Sequence, residues 1–581
     1  MRTHNNGELR IQDVGKEVTL VGWVAKRRNL GGIIFIDLRD RYGITQIVCK
    51  PGNPMYEVLE NVKNEYVLQV SGKVLERESK NPKLPTGDIE VEAENVNVLN
   101  VSENPPLIIA DETDALEDLR MKYRYLDLRR PVMQKNLITR HKIAQAVRAY
   151  LNDRDFIEVE TPVFGKSTPE GARDYLVPSR LHPGKFYALA QSPQMYKQLL
   201  MIAGFERYYQ IVKCFRDEDF RADRQMEFTQ IDVEMSFVDE EDVYSLVEGM
   251  IHKVMKEVKG VEVKLPFPRL SYEEAVNRFG TDKPDTRFGL ELVNLNSCFA
   301  DTDFLIFRAV LDEGGVIKGI NAKGAAEKYS RKEIDRLTEE AKKFKVKGLS
   351  WLKYENDNFS GSLAKFVTPE IGDALRARLG LENGDLVLIA ADKPEHANWA
   401  LGLVRNILGR ELRLIDYSRY DYLWVNNWPS FEYDEEAGRY NAAHHPFTSP
   451  RDEDIDKMLT APEECHSKCY DLVLNGYELG SGSIRIHDQE VQRKMFRVLG
   501  LSEEEVKEKF GFFIEALRYG PPPHGGIALG LDRLAMILCG AQSLRDVIAF
   551  PKSASGIDPM SEAPSYASPE QLRELKLEIK K

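Results

Sequence analysis

The chain has 581 residues, 42% hydrophobic and 30% charged, with a formal net charge of −13. That length exceeds a single hydrophobic core and implies three or four domains, and the composition is that of a globular chain rather than a disordered or fibrous one. Residues 1–10 are polar, and no run of about 18 uncharged apolar residues occurs, so neither a signal peptide nor a membrane span is expected and the expected location is the cytoplasm.

Residues 18–24 alternate apolar with small or polar side chains, and 33–38, 44–48, 66–74 and 89–98 read as further strands. Gly31-Gly32 and Tyr42-Gly43 supply turns between them. Five short strands in about 100 residues predict a small Greek-key barrel of the OB type, a fold that often binds oligonucleotides on one face. Lys26-Arg27-Arg28, with Arg39 and Arg41 nearby, form a basic cluster at the end of the first strand. Such a local field matters more to an anionic partner than the negative total. Phe35, on the second strand, fits either a base-stacking surface or the barrel core.

Asn104-Pro105-Pro106 closes this first domain, residues 1–105. A charged hinge over 106–130 follows, helical from about 111. A helix is predicted over 132–154, with Leu137, Ile138, Ile143, Val147 and Leu151 as its apolar stripe. A strand over 156–159 then ends at Thr161-Pro162. These open a catalytic domain whose first part spans 131–281. The texture changes at 282, where a compact α+β insertion runs to 413, with a helix over 331–345. The catalytic texture resumes over 414–550 with Trp424, Trp428 and His444-His445. Residues 551–581 form a C-terminal extension, rich in Pro and Ser and helical from Pro569. The six cysteines are too scattered for a disulfide framework, and Cys465-His466 with Cys469 lacks the second ligand pair of a zinc site.

Two segments carry chemistry. In 214–234, apolar strand ends flank a loop dense in Arg, Asp and Glu. A surface hairpin laced with weak ion pairs would look similar. The returning strand, however, places Phe228, Gln230, Asp232 and Glu234 on one face, and polar groups along a half-buried strand point into a site. The second segment, 525–534, is a glycine-rich turn followed by Arg533 at a helix start, where phosphate is favoured.

In this order, the helix and strand ending at Pro162, Phe215-Arg216-Asp217-Glu218 with its return strand, and Gly530-Leu531-Asp532-Arg533 resemble motifs 1, 2 and 3 of the class II aminoacyl-tRNA synthetases. With the barrel in front and the insertion between motifs 2 and 3, almost the whole chain resembles the bacterial aspartyl-tRNA synthetases. The resemblance implies an α+β multidomain protein: an OB-fold anticodon-binding barrel, a catalytic domain built on an antiparallel sheet, and an inserted α+β domain of the kind called GAD. It implies a homodimer made through motif 1. It also implies ligase activity that joins L-aspartate to tRNA(Asp), using ATP as substrate and Mg2+.

The implied chemistry suits the residues. Attack of one anion, the amino-acid carboxylate, on another, ATP, calls for cations and positioning rather than a side-chain base. The resemblance assigns Arg216 to the α-phosphate and Arg533 to the γ-phosphate, and a guanidinium fork fits phosphate oxygens. It assigns Asp217, Glu218, Gln225, Gly530, Leu531 and Asp532 to the ATP site and Phe228 to adenine stacking. Asp471 and Glu478 would hold Mg2+, as suits hard oxygen ligands. In Gln191-Ser192-Pro193-Gln194-Met195-Tyr196-Lys197 the resemblance implies the aspartate-binding segment. Lys197 and Arg485 would clamp the substrate's side-chain carboxylate, joined by His444, whose charge depends on bound substrate. Ser192, Gln194, Asp232 and Glu170 would receive its α-ammonium, Glu170 from a loop that closes over substrate.

On the barrel, Phe35 matches a base-stacking position and Arg28 and Gln46 match base-contacting ones. Relatives that also charge tRNA(Asn) tend to carry His at the position of Leu30 and Gly at that of Lys80, so this chain is expected to be tRNA(Asp)-specific; the alternative is a non-discriminating aspartate–tRNA(Asp/Asn) ligase. An ammonia-dependent asparagine synthetase would lack the barrel and the insertion. An asparaginyl enzyme would not need so cationic a pocket, and a catalytically dead scaffold would not need to keep Arg216, Glu478 and Arg533.

Overall fold

The computed structural model describes residues 1–168, 171–218 and 224–580. Their contacts divide them into two compact units, one from residues 1–141, 219–226 and 535–573, the other from 142–218, 227–534 and 574–581.

The first unit contains a closed five-stranded barrel. Its strands are β1 (Glu17–Leu30), β2 (Ile33–Arg39), β3 (Ile44–Cys49), β4 (Val67–Glu76) and β5 (Ile89–Asn100), in the order β1-β2-β3-β5-β4. β1 pairs with both β2 and β4, and an irregularity between Val24 and Lys26 bends it from one partner to the other. Alternate residues point inward: Val18, Leu20, Val24, Ile34, Ile36 and Leu38 are buried in one cluster. Phe35 lies between two of them on the opposite face and is not part of that cluster, which removes its reading as core.

The segment expected as a hinge carries a buried ionic knot. Asp127 accepts hydrogen bonds from Arg120, Arg124 and Arg130. Burial works against its charge, but these cations hold its carboxyl below the usual range. Arg124 also donates to the carbonyls of Arg545, Ile548 and Ala549, tying this segment to the start of the C-terminal region.

The second unit is built on an eight-stranded sheet. Its spatial order is Arg269–Ser271, Tyr422–Asn426, Cys469–Leu474, Tyr477–Ile484, His524–Gly530, Glu227–Ser236, Arg207–Phe215 and Ile157–Glu158. The six central strands are antiparallel, and the two outer ones join in parallel. The glycine-rich segment expected as a turn is instead the strand His524–Gly530, with Leu531–Cys539 following as helix. Its glycines serve close packing: a Cβ on Gly526 would lie 2.1 Å from Glu234 Oε2.

Between the strands Arg269–Ser271 and Tyr422–Asn426 is inserted a five-stranded antiparallel sheet, ordered Val293–Asn294, Val316–Ala322, Asp385–Asp392, Ser350–Glu355 and Asn358–Gly361. Asp385–Asp392 alternates between two cores, Leu386 and Leu388 on one face, Val387 and Ile389 on the other. Helices Arg331–Lys342 and Pro394–Glu411 cover the first face, Leu305–Asp312 and Pro369–Leu379 the second.

Candidate active site and nucleic-acid face

Lys197, on helix Gln194–Ile202, has its ammonium 2.6 Å from Asp232 Oδ1 and 3.3 Å from Glu234 Oε2. Asp232 and Glu234 sit two residues apart on one face of the strand Glu227–Ser236, as the alternation predicted. Arg485, just beyond the strand Tyr477–Ile484, donates Nε to Glu234 Oε1 at 2.9 Å and Nη2 to Oε2 at 3.0 Å. Its Nη1 reaches Ser483 Oγ at 2.7 Å and His445 Nε2 at 3.0 Å. All four charged side chains are at most 1% exposed. The two expected clamp cations are thus already matched by two internal carboxylates, an arrangement that lets charge survive burial.

The match is incomplete in one direction. Asp232 Oδ2 and Gln194 Nε2 are buried and, among the described residues, have no hydrogen-bond partner. Burial pushes the Asp232 carboxyl upward against the pull of Lys197. Glu234 is held down, because Arg485 and Lys197 outweigh its burial. Among the described residues the cluster therefore leaves one buried acceptor and one buried amide donor unspent.

His444 accepts or donates at both ring nitrogens, to Thr448 Oγ1 at 2.8 Å and Ser481 Oγ at 3.1 Å. Its ring lies 4.3 Å from that of His445, tilted by 36°. Burial, then the charges of Arg485 and Lys197, lower the His444 pKa to about 3, and His445 is pushed down for the same reasons, so both imidazoles are neutral. His445, not expected among the site residues, and Glu234, which the polar alternation along its strand points toward the site, touch Arg485 directly. Ser192 Oγ accepts the Gln194 backbone N–H at 3.2 Å, so the two belong to one turn. Glu170 lies outside the described residues.

On the neighbouring strand ends, the Arg216 guanidinium sits 5.0 Å above the Phe228 ring. Asp217 and the half-buried Glu218 follow it, Asp217 forming an isolated bridge with Arg173. Asp532 is buried and accepts the Thr229 backbone N–H at 2.7 Å, bracing the motif 2 strand. Leu531 is 2% exposed, so its side chain belongs to the core. Gly530 faces Gln230 across the sheet. Arg533 Nη1 donates to the carbonyl of Glu478. The Gln225 amide, in the first unit, exchanges two hydrogen bonds with the main chain of Lys552, at 2.9 and 3.2 Å.

Asp471 and Glu478 occupy the hairpin Cys469–Leu474 and Tyr477–Ile484. Burial, then the charge of Glu478, push the Asp471 carboxyl well above its usual range. That deficit of positive charge fits an oxygen-liganded divalent cation, and two carboxylates suffice where phosphates and water complete the shell.

On the barrel, Arg28 stands opposite Phe35 across β1 and β2, and Asp37 opposite Gln46 across β2 and β3. Arg28 Nη2 donates to Asp37 at 2.6 Å and to Gln46 at 3.1 Å, and its guanidinium lies 6.0 Å from the Phe35 ring. Gln46 in turn donates to Glu90. The structure brings these three expected residues together as one polar–aromatic face. Leu30 is exposed at the end of β1, and Lys80 pairs with Glu76 at 2.8 Å.

Residues 116–554 match the family described as class II tRNA synthetases (D, K and N), and residues 18–99 match the OB-fold nucleic acid binding domain. The chain is 56% identical to the aspartate–tRNA(Asp/Asn) ligase of Anoxybacillus flavithermus, covering 100% of this chain and 98% of the relative. It is 54% identical to the aspartate–tRNA ligase of Enterococcus faecalis, covering 100% and 99%. Among solved structures, a putative aspartyl-tRNA synthetase from Leishmania major superposes with a TM-score of 0.59 at 19% identity, covering 95% of this chain and 94% of that one. An asparaginyl-tRNA synthetase from Pyrococcus horikoshii complexed with asparaginyl-adenylate gives 0.58 at 19%, covering 94% and 97%. These two likenesses speak for the fold. No helix among the described residues is long and apolar enough to cross a membrane.

Proposed function

The chain belongs to the class II tRNA synthetases, and on that premise we propose that the cluster around Lys197, Asp232, Glu234 and Arg485 is its aspartate pocket. The reaction is that of an aspartate–tRNA ligase: aspartate and ATP give aspartyl-adenylate and pyrophosphate, and the aspartyl group then passes to the 3′ end of tRNA.

The observation that carries the pocket is that the acceptor Asp232 Oδ2 and the donor Gln194 Nε2 are both buried and without a partner among the described residues. The substrate's α-ammonium supplies the missing cation at Asp232. Its side-chain carboxylate takes the N–H groups that Lys197 and Arg485 have not spent on Asp232, Glu234, Ser483 and His445. The neutral His444 donates a hydrogen bond there, or takes a proton once a carboxylate sits beside it. Ser192 completes the pocket.

Arg216 leaves the Phe228 ring for the α-phosphate, and Phe228 then offers that face to adenine. One oxygen of the aspartate α-carboxylate attacks the α-phosphorus, and the bond to the pyrophosphate oxygen breaks. Arg533, Asp217, Glu218 and Gln225, with the main chain of 530–532, hold the nucleotide. Mg2+ bound by Asp471 and Glu478 would screen charge on the phosphates. Arg28, Phe35 and Gln46 receive anticodon bases on the barrel. Ile157, exposed on the edge strand of the catalytic sheet, and the exposed Val163 and Phe164 after it supply apolar surface for a homodimer. The protein works in the cytoplasm.

Leu30 and Lys80 favour strict use of tRNA(Asp). Some relatives at 56% identity carry the Asp/Asn designation, which keeps the broader reading open as the second one. Charging of separate tRNA(Asp) and tRNA(Asn) transcripts with labelled aspartate decides. The strict reading expects product on tRNA(Asp) alone. Comparable product on both establishes the broad enzyme, and product on neither overturns the ligase assignment.

A further inference from the structure

Lys283 stands where the catalytic domain passes into the insertion. Its ammonium lies 3.1 Å from Asp282 Oδ2 and 3.7 Å from Glu478 Oε2. One ammonium thus stands in ion-pair range of one of the two carboxylates assigned to the divalent cation.

The insertion sets this position. Helix Tyr272–Phe279 ends at Gly280, whose φ of 67° favours glycine. A Cβ on Gly280 would lie 2.3 Å from the Asn398 carbonyl oxygen, and one on Gly402 would lie 2.0 Å from the Gly280 carbonyl oxygen. The backbone before Lys283 is therefore in bare contact with helix Pro394–Glu411. After Lys283, the buried Arg405 of that same helix donates to the carbonyls of Asp285, Phe288 and Gly289. Asp285 in turn lies against Gly476, in the turn that joins the strands carrying Asp471 and Glu478. One helix of the insertion thus holds both sides of the lysine.

We propose that Lys283 is the resident counter-ion of Glu478 in the ATP-free enzyme, that it yields this carboxylate to Mg2+ when the metal–nucleotide complex binds, and that its ammonium then contacts the departing pyrophosphate. The insertion is the device that places it. Lys283 stays protonated throughout: the only bonds made and broken are the carboxylate–phosphorus and phosphorus–pyrophosphate bonds of adenylation. The inference rests on the ligase reading and on the assignment of Asp471 and Glu478 above.

The test compares wild type, Lys283→Met, Lys283→Gln and Lys283→Arg. Mn2+ binding to ATP-free protein is read by electron paramagnetic resonance, and pyrophosphate binding with Mg2+ present by calorimetry. Removing a competing charge a few ångströms away should tighten Mn2+ about tenfold in the Met and Gln variants, and pyrophosphate should bind about tenfold more weakly. Lys283→Arg should stay near wild type on both readouts. Mn2+ affinity unchanged or weakened in whichever neutral variant folds overturns the counter-ion role, and unchanged pyrophosphate affinity overturns the contact. Wild-type ATP–pyrophosphate exchange with aspartate, run alongside, separates failure of this inference from failure of the ligase reading.

Discussion

Arg485 and Glu234 face each other as a buried two-pronged ion pair, Nε to Oε1 at 2.9 Å and Nη2 to Oε2 at 3.0 Å, with neither side chain more than 1% exposed. Removing one partner strands the other charge. Glu234→Ala should cost about 3–5 kcal/mol of stability. Denaturant unfolding checks it, and a loss under about 1 kcal/mol would mean the pair is not formed in solution.

Asp232 is the pocket's unmatched acceptor. Asp232→Asn should raise KM for aspartate in ATP–pyrophosphate exchange by about 10–100-fold, the worth of a hydrogen bond to a charged group, with KM for ATP little changed. A defect confined to ATP would remove Asp232 from the aspartate pocket.

The two half-buried imidazoles bear on acid stability. Their folded pKa values lie below the ordinary 6.5, at about 3 for His444. Below about 6.5 the unfolded chain takes up protons that the folded chain refuses. Stability present above pH 6.5 is therefore lost as pH falls toward 3, at up to about 1.4 kcal/mol per pH unit for each ring. Unfolding midpoints measured between pH 7 and 5 should fall less steeply in His445→Asn than in wild type; identical slopes would show that His445 titrates normally.

Phe35→Ala and Arg28→Ala act on the barrel alone. Each should weaken tRNA use without altering ATP–pyrophosphate exchange, Phe35→Ala by about 1–3 kcal/mol, the worth of one stacked base. Arg28→Ala should also flatten the salt dependence of tRNA binding if it meets a phosphate rather than a base edge. Normal aminoacylation kinetics in both variants would move the tRNA contact elsewhere.

Gly526 tests the sheet's close packing. An added Cβ there meets Glu234 Oε2 and the Val233 carbonyl oxygen at 2.1 Å. Gly526→Ala should cost about 1–3 kcal/mol of stability by overpacking and, by displacing Glu234, depress aspartate activation. A fully active variant would show that the strands part without disturbing the pocket.

Much of this was legible in one dimension. Period-two alternation announced the barrel, and it placed Asp232 and Glu234 on one face, because side-chain direction in a strand follows from backbone geometry. The order along the chain of the strand ending at Pro162, the segment around Arg216 and the segment ending at Arg533 carried the family, and with it the reaction. One local reading misled. The 525–530 glycines suggest a ligand turn, yet they belong to a strand that lets Glu234 approach. Lys197 and Arg485 read as cations awaiting substrate, and in the folded chain each already spends some of its N–H groups on Asp232 or Glu234.

By itself, then, the amino-acid sequence determined the fold class, the family and the residue types of the site, because these depend on local periodicity and on motif order. Only the tertiary structure decided which charges cancel, which donors remain unspent, and that Lys283 stands beside Glu478. Those facts are distances between residues remote in sequence, from Lys197 to Glu234 and from Glu234 to Arg485, set by how the strands stack into one sheet. Charge interactions in a buried site fall steeply with distance and depend on what surrounds them, so no reading of spacing along the chain could have ranked them.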